Sequence, residues 1–170
     1  MSDSDALAAA APTLKLVSFD VDGVLTDGRI TYSDDGRELK SFHVQDGAAL
    51  KLLRSSGIEV AILTGRHSPM VSRRAAELGI EHLFQGLDDK APALRALCER
   101  LGLSLKETAH VGDDLADLPL FELCGLSISV PNGHPTVIAR ADHVTHAAGG
   151  TGVARELVEA LLKARGTWPY

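Results

Sequence analysis

Two carboxylates stand two residues apart in Phe19-Asp20-Val21-Asp22-Gly23, at the end of an apolar run. On extended chain, positions i and i+2 leave the same face, so these acids would lie about 6–7 Å apart. Like charges that close repel unless something divides their tasks. A hard divalent cation such as Mg²⁺, held by one or two carboxylates together with phosphate oxygens and water, does so, and Asp113 in Gly112-Asp113-Asp114 could complete the acidic set. One Asp would then attack phosphorus as nucleophile, while the other protonates the leaving oxygen and afterwards activates water. Thr64, in Leu63-Thr64-Gly65-Arg66, and Lys90, in Asp88-Asp89-Lys90, suit the phosphoryl oxygens by hydrogen bond and by point charge. Arg66 and Lys90 both precede helix starts, where a cation opposes the helix dipole by about 0.3–1 kcal/mol. A bound phosphate would relieve that conflict.

These residues need elements that bring them together. Short β-rich apolar runs occur at Leu14–Val21, Glu59–Leu63, His82–Gln85, Thr108–Val111, Leu126–Val130 and His143–Thr145. Between them, Asp46 opens a helical stretch that Gly57 closes, Ser68-Pro69 opens one that Gly79 closes, and another runs from about Ala91 to Gly102. Shorter helices are expected at Leu118–Leu123 and Pro135–Arg140, and a final amphipathic one at Val153–Ala164. Alternation of strand and helix predicts an α/β fold, a parallel sheet with helices on both faces. Ligands of such sheets bind beyond the carboxyl ends of the strands, which is where the acids, Thr64, Arg66 and Lys90 fall. The exception to the alternation is about 29–44, where ITYS, Asp34-Asp35-Gly36 and RELKSFHV predict a β-hairpin inserted after the first strand. No length remains for a separate cap domain. Residues 1–12 read as a flexible N-terminus, and 13–170 as a single domain.

Composition narrows the classes of function. The chain has 170 residues with 45% hydrophobic and 24% charged, ordinary values for a globular protein. A net charge of −6 gives no general attraction to nucleic acid or anionic membrane, and no run of 18 uncharged apolar residues offers a membrane span. The start carries acids where a secretory signal needs Lys or Arg, so a cytoplasmic location is expected. Of the 23 acids 14 are Asp, the type that loops, strand ends and metal sites favour. Cys98 and Cys124 lack CxxC spacing and read as buried thiols. The seven histidines lack zinc spacing apart from His143 and His146, and no Ser or Cys carries a triad pattern.

In that order and spacing, FDVDGVLTDG at Phe19–Gly28, LTGR, Lys90 and GDDLADLP resemble the four signatures of the haloacid dehalogenase (HAD) superfamily. The hairpin, HVQDG at His43–Gly47, and AGGTG at Ala148–Gly152 narrow the resemblance to its Kdo 8-phosphate (3-deoxy-D-manno-octulosonate 8-phosphate) phosphatases, and it covers nearly all the chain after Leu14. The resemblance implies a capless, Rossmann-like, Mg²⁺-dependent phosphatase releasing Kdo for lipopolysaccharide precursors through an aspartyl phosphate. Asp20 would be the nucleophile and Asp22 the general acid/base. The metal would be held by Asp20, the Asp22 carbonyl and Asp113, and the phosphoryl group by Thr64 and Lys90. The phosphorylated sugar acid would meet Asp22, His43, Gln45, Asp46, Gly47, Lys51, Arg66, Arg74 and Lys90. A homotetramer is implied too, with hairpins packed together and a neighbour closing the site.

One departure bears on the substrate. Thr151 stands between glycines where many relatives of this kind have Arg, so a related sugar acid such as Kdn 9-phosphate is the nearest alternative. A phospho-accepting receiver-like signalling domain also uses acids, Thr and Lys at parallel strand ends. It places its accepting Asp on a later strand, whereas here the third strand ends in Phe84-Gln85-Gly86 and the first carries the acid pair.

Overall fold

A computed structural model describes residues 3–170, with side chains described from Ala6 onward. In chain order the elements are α1 (Asp3–Ala10), β1 (Leu16–Phe19), β2 (Thr31–Tyr32), β3 (Glu38–Leu39), α2 (Val44–Ser55), β4 (Glu59–Leu63), α3 (Pro69–Leu78), β5 (His82–Phe84) and α4 (Ala91–Leu101). There follow β6 (Thr108–Val111), α5 (Leu118–Leu123), β7 (Leu126–Ser129), α6 (Pro135–Ile138), β8 (His143–Val144) and α7 (Val153–Ala164). Six strands form one parallel sheet in the order β5-β4-β1-β6-β7-β8. Central β1 pairs Phe19 with Ile62 on one side and with Val111 on the other, so three strand ends lie level where Asp20 begins.

All four residues of β1 are buried, as a strand covered on both faces requires. Alternation sends Val17 and Phe19 to the face covered by α1, α2, α3 and α7, where Leu50, Leu53, Val71, Leu157 and Leu161 pack. Leu16 meets the smaller core of Ala61, Leu63, Leu94, Leu97, Cys98 and Leu120, beneath α4 and α5. The boundaries of α3 follow their sequence signals. Ser68 Oγ accepts from Met70 N at the start of α3, and Gly79, in the left-handed region at φ 68°, ends it.

Between β1 and α2 there is only the hairpin, with Thr31 opposite Leu39 and Tyr32 opposite Glu38, and no cap domain. Its turn is closed by Ser33 N–H on Arg37 C=O (2.8 Å) and Gly36 N–H on Ser33 C=O (2.8 Å).

Two expectations need correction. Within the stretch read as a flexible N-terminus, Asp3–Ala10 is helical, with Leu7 only 4% exposed and Ala11 fully buried on the core that includes α7. An alanine-rich run has the best intrinsic helix propensity, and Leu7, Ala11 and Leu14 recur at near-helical spacing. Second, α2 begins at Val44 rather than at Asp46, with His43 as its N-cap. Asp46 lies in the first turn and its Oδ1 accepts from Arg155 N at 2.9 Å, capping the start of α7 instead of its own helix.

Candidate active site

Asp20 leaves the sheet at the end of β1, its N–H still bonded to Val111 C=O at 2.9 Å, and its Oδ1 takes the Val21 N–H at 2.7 Å. The chain then makes a wide turn through Val21–Leu25 in which Gly23 adopts φ 96°. A side chain at Gly23 would also collide with Asp113, whose Oδ2 would lie 2.0 Å from a Cβ, so glycine is required twice over. Thr64 and Gly65 arrive from β4, Lys90 from the loop before α4, and Asp113 and Asp114 from β6. With Asp22, Gly28, Arg66 and Ala116 they line one open cleft at the carboxyl edge of the sheet.

Behind the cleft lies a buried charge network. Lys90, whose side chain is 3% exposed, places Nζ 3.1 Å from Asp20 Oδ1 and 2.6 Å from Asp117 Oδ1. Burial alone would drive the proton off Lys90, but Asp20 and Asp117 outweigh it and hold its affinity above the ordinary value. Asp117 is completely buried. Its Oδ1 also meets His110 Nε2 (3.0 Å), and its Oδ2 accepts the N–H groups of Asp113 (3.0 Å) and Asp114 (3.1 Å). Burial pushes its pKa up, yet the hydrogen bond and charge of His110 and the nearby Lys90 leave it well below the usual carboxylate range. His110 Nδ1 is tied to Ser18 Oγ at 2.8 Å. The expected conflict of Lys90 with the helix dipole is thus already met by two carboxylates, without a phosphate. Arg66 is similarly engaged, 2.7 Å from Glu38 Oε2 and 3.8 Å from Asp22 Oδ2.

The residues present fit a divalent cation. Asp20, Asp113 and Asp117 offer oxygens within 4.8 Å of one another, and Asp113 Oδ1 is buried with no hydrogen-bond partner. Burial, reinforced by Asp20, Asp117 and Asp114, pushes the Asp113 carboxyl up to about 7. Burial likewise raises Asp20, with Lys90 opposing it. An all-oxygen donor set with uncompensated negative charge suits Mg²⁺. Both Asp117 oxygens already accept hydrogen bonds, so Asp20 and Asp113 are the carboxylates that would hold an ion.

Of the residues expected to meet the sugar acid, Asp22, Arg66 and Lys90 line the cleft, and His43, Gln45, Asp46, Gly47, Lys51 and Arg74 do not. His43, Asp46, Gly47 and Arg74 surround a small cavity between α2 and α3, where Arg74 Nη2 reaches His43 C=O at 3.4 Å and a Cβ at Gly47 would strike Arg74. Gln45 and Lys51 are exposed on α2.

Sequence reading gave no role to Asp117, His110, Lys40 or Asn132. Asp117 lies inside the GDDLADLP run four residues after Asp113, a spacing that could have flagged it. Asn132 carries no such signal. Its Nδ2 donates to Gly23 C=O (2.9 Å) and its Oδ1 accepts from Gly149 N (2.6 Å), joining the Val21–Leu25 turn to the late glycine loop.

Comparison with known proteins agrees with this geometry. A family model described as haloacid dehalogenase-like hydrolase matches residues 82–157. The chain is 48% identical over 156 residues to the 3-deoxy-D-manno-octulosonate 8-phosphate phosphatase KdsC of Salmonella typhi, covering 92% of this chain and 83% of that relative. Among solved structures, the Moraxella catarrhalis phosphatase in complex with magnesium ion, phosphate ion and KDO superposes with a TM-score of 0.90 at 49% identity, covering 93% and 91% of the two chains. The cobalt-bound Haemophilus influenzae phosphatase gives 0.88 at 43% identity, covering 92% of each. With the cleft, the capless sheet and this level of identity in agreement, the chain belongs to the 3-deoxy-D-manno-octulosonate 8-phosphate phosphatase family of haloacid dehalogenase-like hydrolases.

Proposed function

We propose that this protein is a Mg²⁺-dependent phosphatase that hydrolyses Kdo 8-phosphate to Kdo and inorganic phosphate, serving lipopolysaccharide precursor synthesis. The observation that carries the reading is the meeting of Asp20, Asp22, Thr64, Lys90 and Asp113 in one cleft of a chain 48% identical to such a phosphatase.

Asp20 is the nucleophile. Lys90 Nζ and the Val21 N–H both hold its Oδ1, which fixes the carboxylate and leaves Oδ2 for phosphorus. Attack forms an aspartyl phosphate as Asp22 gives its proton to the sugar oxygen; Asp22 then takes a proton from the water that hydrolyses the intermediate. Thr64 and Lys90 stabilise the phosphoryl oxygens. Asp20, Asp113 and the Asp22 carbonyl would hold Mg²⁺, which would supply charge neutralisation for the transferring group. Arg66, and across α2 and α3 the set His43, Gln45, Asp46, Gly47, Lys51 and Arg74, serve the sugar acid, the latter set through rearrangement or through a neighbouring subunit. Thr151 donates its hydroxyl to Ala148 C=O (2.6 Å) and closes its own loop.

The working form is a cytoplasmic homotetramer built on the hairpins. Ile30, Tyr32 and Leu39 are exposed there, and a two-stranded ribbon is marginal in water unless something packs against it. No helix among the described residues is long and apolar enough to cross a membrane.

Phosphate release from a panel of phosphorylated sugar acids and simple hexose phosphates, with Mg²⁺ and with chelator, tests the reading. Kdo 8-phosphate is expected to be preferred, with activity lost on chelation. Preference for Kdn 9-phosphate or for a hexose phosphate would overturn the substrate. Stable phosphorylation without turnover would favour the receiver-like alternative.

A further inference from the structure

We propose that Lys40, on the hairpin, is a positioning residue that fixes the Asp22 carboxyl for proton transfer to the leaving oxygen. The proposal rests on the acid/base reading of Asp22 given above. Lys40 follows β3, on a ribbon that is mostly exposed, yet its side chain is only 2% exposed. A lysine is seldom buried unless paired. Its Nζ contacts Asp22 Oδ1 and lies 3.1 Å from Glu38 Oε1. Glu38 Oε2 in turn accepts from Arg66 Nη2 (2.7 Å), and Arg66 Nε lies 3.8 Å from Asp22 Oδ2. Two cations and two carboxylates therefore form a closed ring between the hairpin and the cleft.

Asp22 needs such support. It sits outside any strand or helix ladder, in the wide turn just before the left-handed Gly23, and its side chain is 20% exposed. Its aim is set by the groups that bind its oxygens. Arg66 is the more exposed of the two cations and the more distant, so Lys40 carries most of that task. Lys40 holds Oδ1, and Arg66 Nε lies 3.8 Å from Oδ2, so the carboxyl is held from both sides. In the step it serves, the Asp20–phosphorus bond forms, the bond from phosphorus to the sugar oxygen breaks, and that oxygen takes the Asp22 proton. Lys40 keeps its own protons throughout.

The test compares two leaving groups under saturating Mg²⁺. A sugar alkoxide must be protonated as it leaves, whereas p-nitrophenolate departs without a proton. Their kcat/KM values report steps up to leaving-group departure. General acid catalysis contributes about 10²–10⁴-fold, so partial loss of aim should lower the ratio of kcat/KM for Kdo 8-phosphate over p-nitrophenyl phosphate by roughly 10- to 100-fold in Lys40→Met. Lys40→Arg, which keeps the charge, should recover part of the ratio. Glu38→Gln, which leaves the ammonium with one anionic partner, should lower it by less, and it carries the test if Lys40→Met does not fold. A structural role would lower both substrates equally, and an unchanged ratio would overturn the proposal. Asp22→Asn is the control. If it lowers the ratio while Lys40→Met does not, the positioning role alone fails; if it leaves the ratio unchanged, the acid role fails and the proposal with it.

Discussion

At the scale of single residues, Asp117 is the residue on which most of the site depends. One carboxylate accepts hydrogen bonds from Lys90, His110 and the N–H groups of Asp113 and Asp114, so four groups from three segments share one anchor. Removing it leaves an ammonium buried with only Asp20 as counter-ion, and two backbone donors without their acceptor. Breaking a buried pair in this way costs about 3–5 kcal/mol. Asp117→Ala should therefore lower the denaturant midpoint strongly and weaken Mg²⁺ binding measured by calorimetry. An unchanged midpoint would show that the network contributes nothing to folding. That Asp20, Asp22, Thr64, Lys90 and Asp113 meet in one cleft was legible in the sequence, because they follow successive strands and a parallel sheet gathers strand ends, whereas their separate roles came from the family resemblance. The parts of Lys40 and Asn132 were not legible. Each acts on a residue far away in the chain, Lys40 on Asp22 and Asn132 on Gly23, and nothing local to either reveals the partner.

At the scale of elements, two acids tie the N-terminus of α7 to its surroundings. Asp46 of α2 caps it through Arg155 N, and Glu156 in its first turn turns back to accept His146 N (2.8 Å) and Ala147 N (2.7 Å), pinning the strand end that leads into the late glycine loop. Burial would raise the Glu156 carboxyl, but the two N–H groups and the His146 ring hold it below its ordinary value. A carboxyl lowered in the folded state adds stability that is present above its unfolded pKa of about 4.3 and is lost as pH falls through the folded value. Glu156→Ala should cost about 1–3 kcal/mol at pH 7 in urea melts, with the gap from wild type closing as pH drops below 4. An equal gap at both pH values would contradict the charge-based origin. Elements of this kind were largely foreseen, since Pro and Gly mark their ends. Helix α1 was not, because a lone leucine among alanines offers little apolar contrast, and the spacing of Leu7, Ala11 and Leu14 gains meaning only once they dock on the core.

At the scale of the whole molecule, the sheet order places β1 at the centre, flanked by β4 and β6, so Asp20, Thr64 and Asp113 come from three adjacent strands. Lys90 enters from the loop beyond edge strand β5, and the hairpin from the far end of the Val21–Leu25 turn. An acidic chain can therefore take an anionic substrate, because a metal and a few placed cations set the local field against a net charge of −6. The fold leaves this cleft open, with no cap domain over it among the described residues.

Everything in this scheme passes through a bond between Asp20 and phosphorus. Enzyme mixed with Kdo 8-phosphate and Mg²⁺, quenched in acid and reduced with borohydride, converts an acyl phosphate into homoserine, which peptide mass spectrometry locates. Homoserine at position 20 alone, absent in the chelated control and in Asp20→Asn, is the predicted result. Phosphate release by Asp20→Asn at the wild-type rate, or the label at another acid, would contradict it.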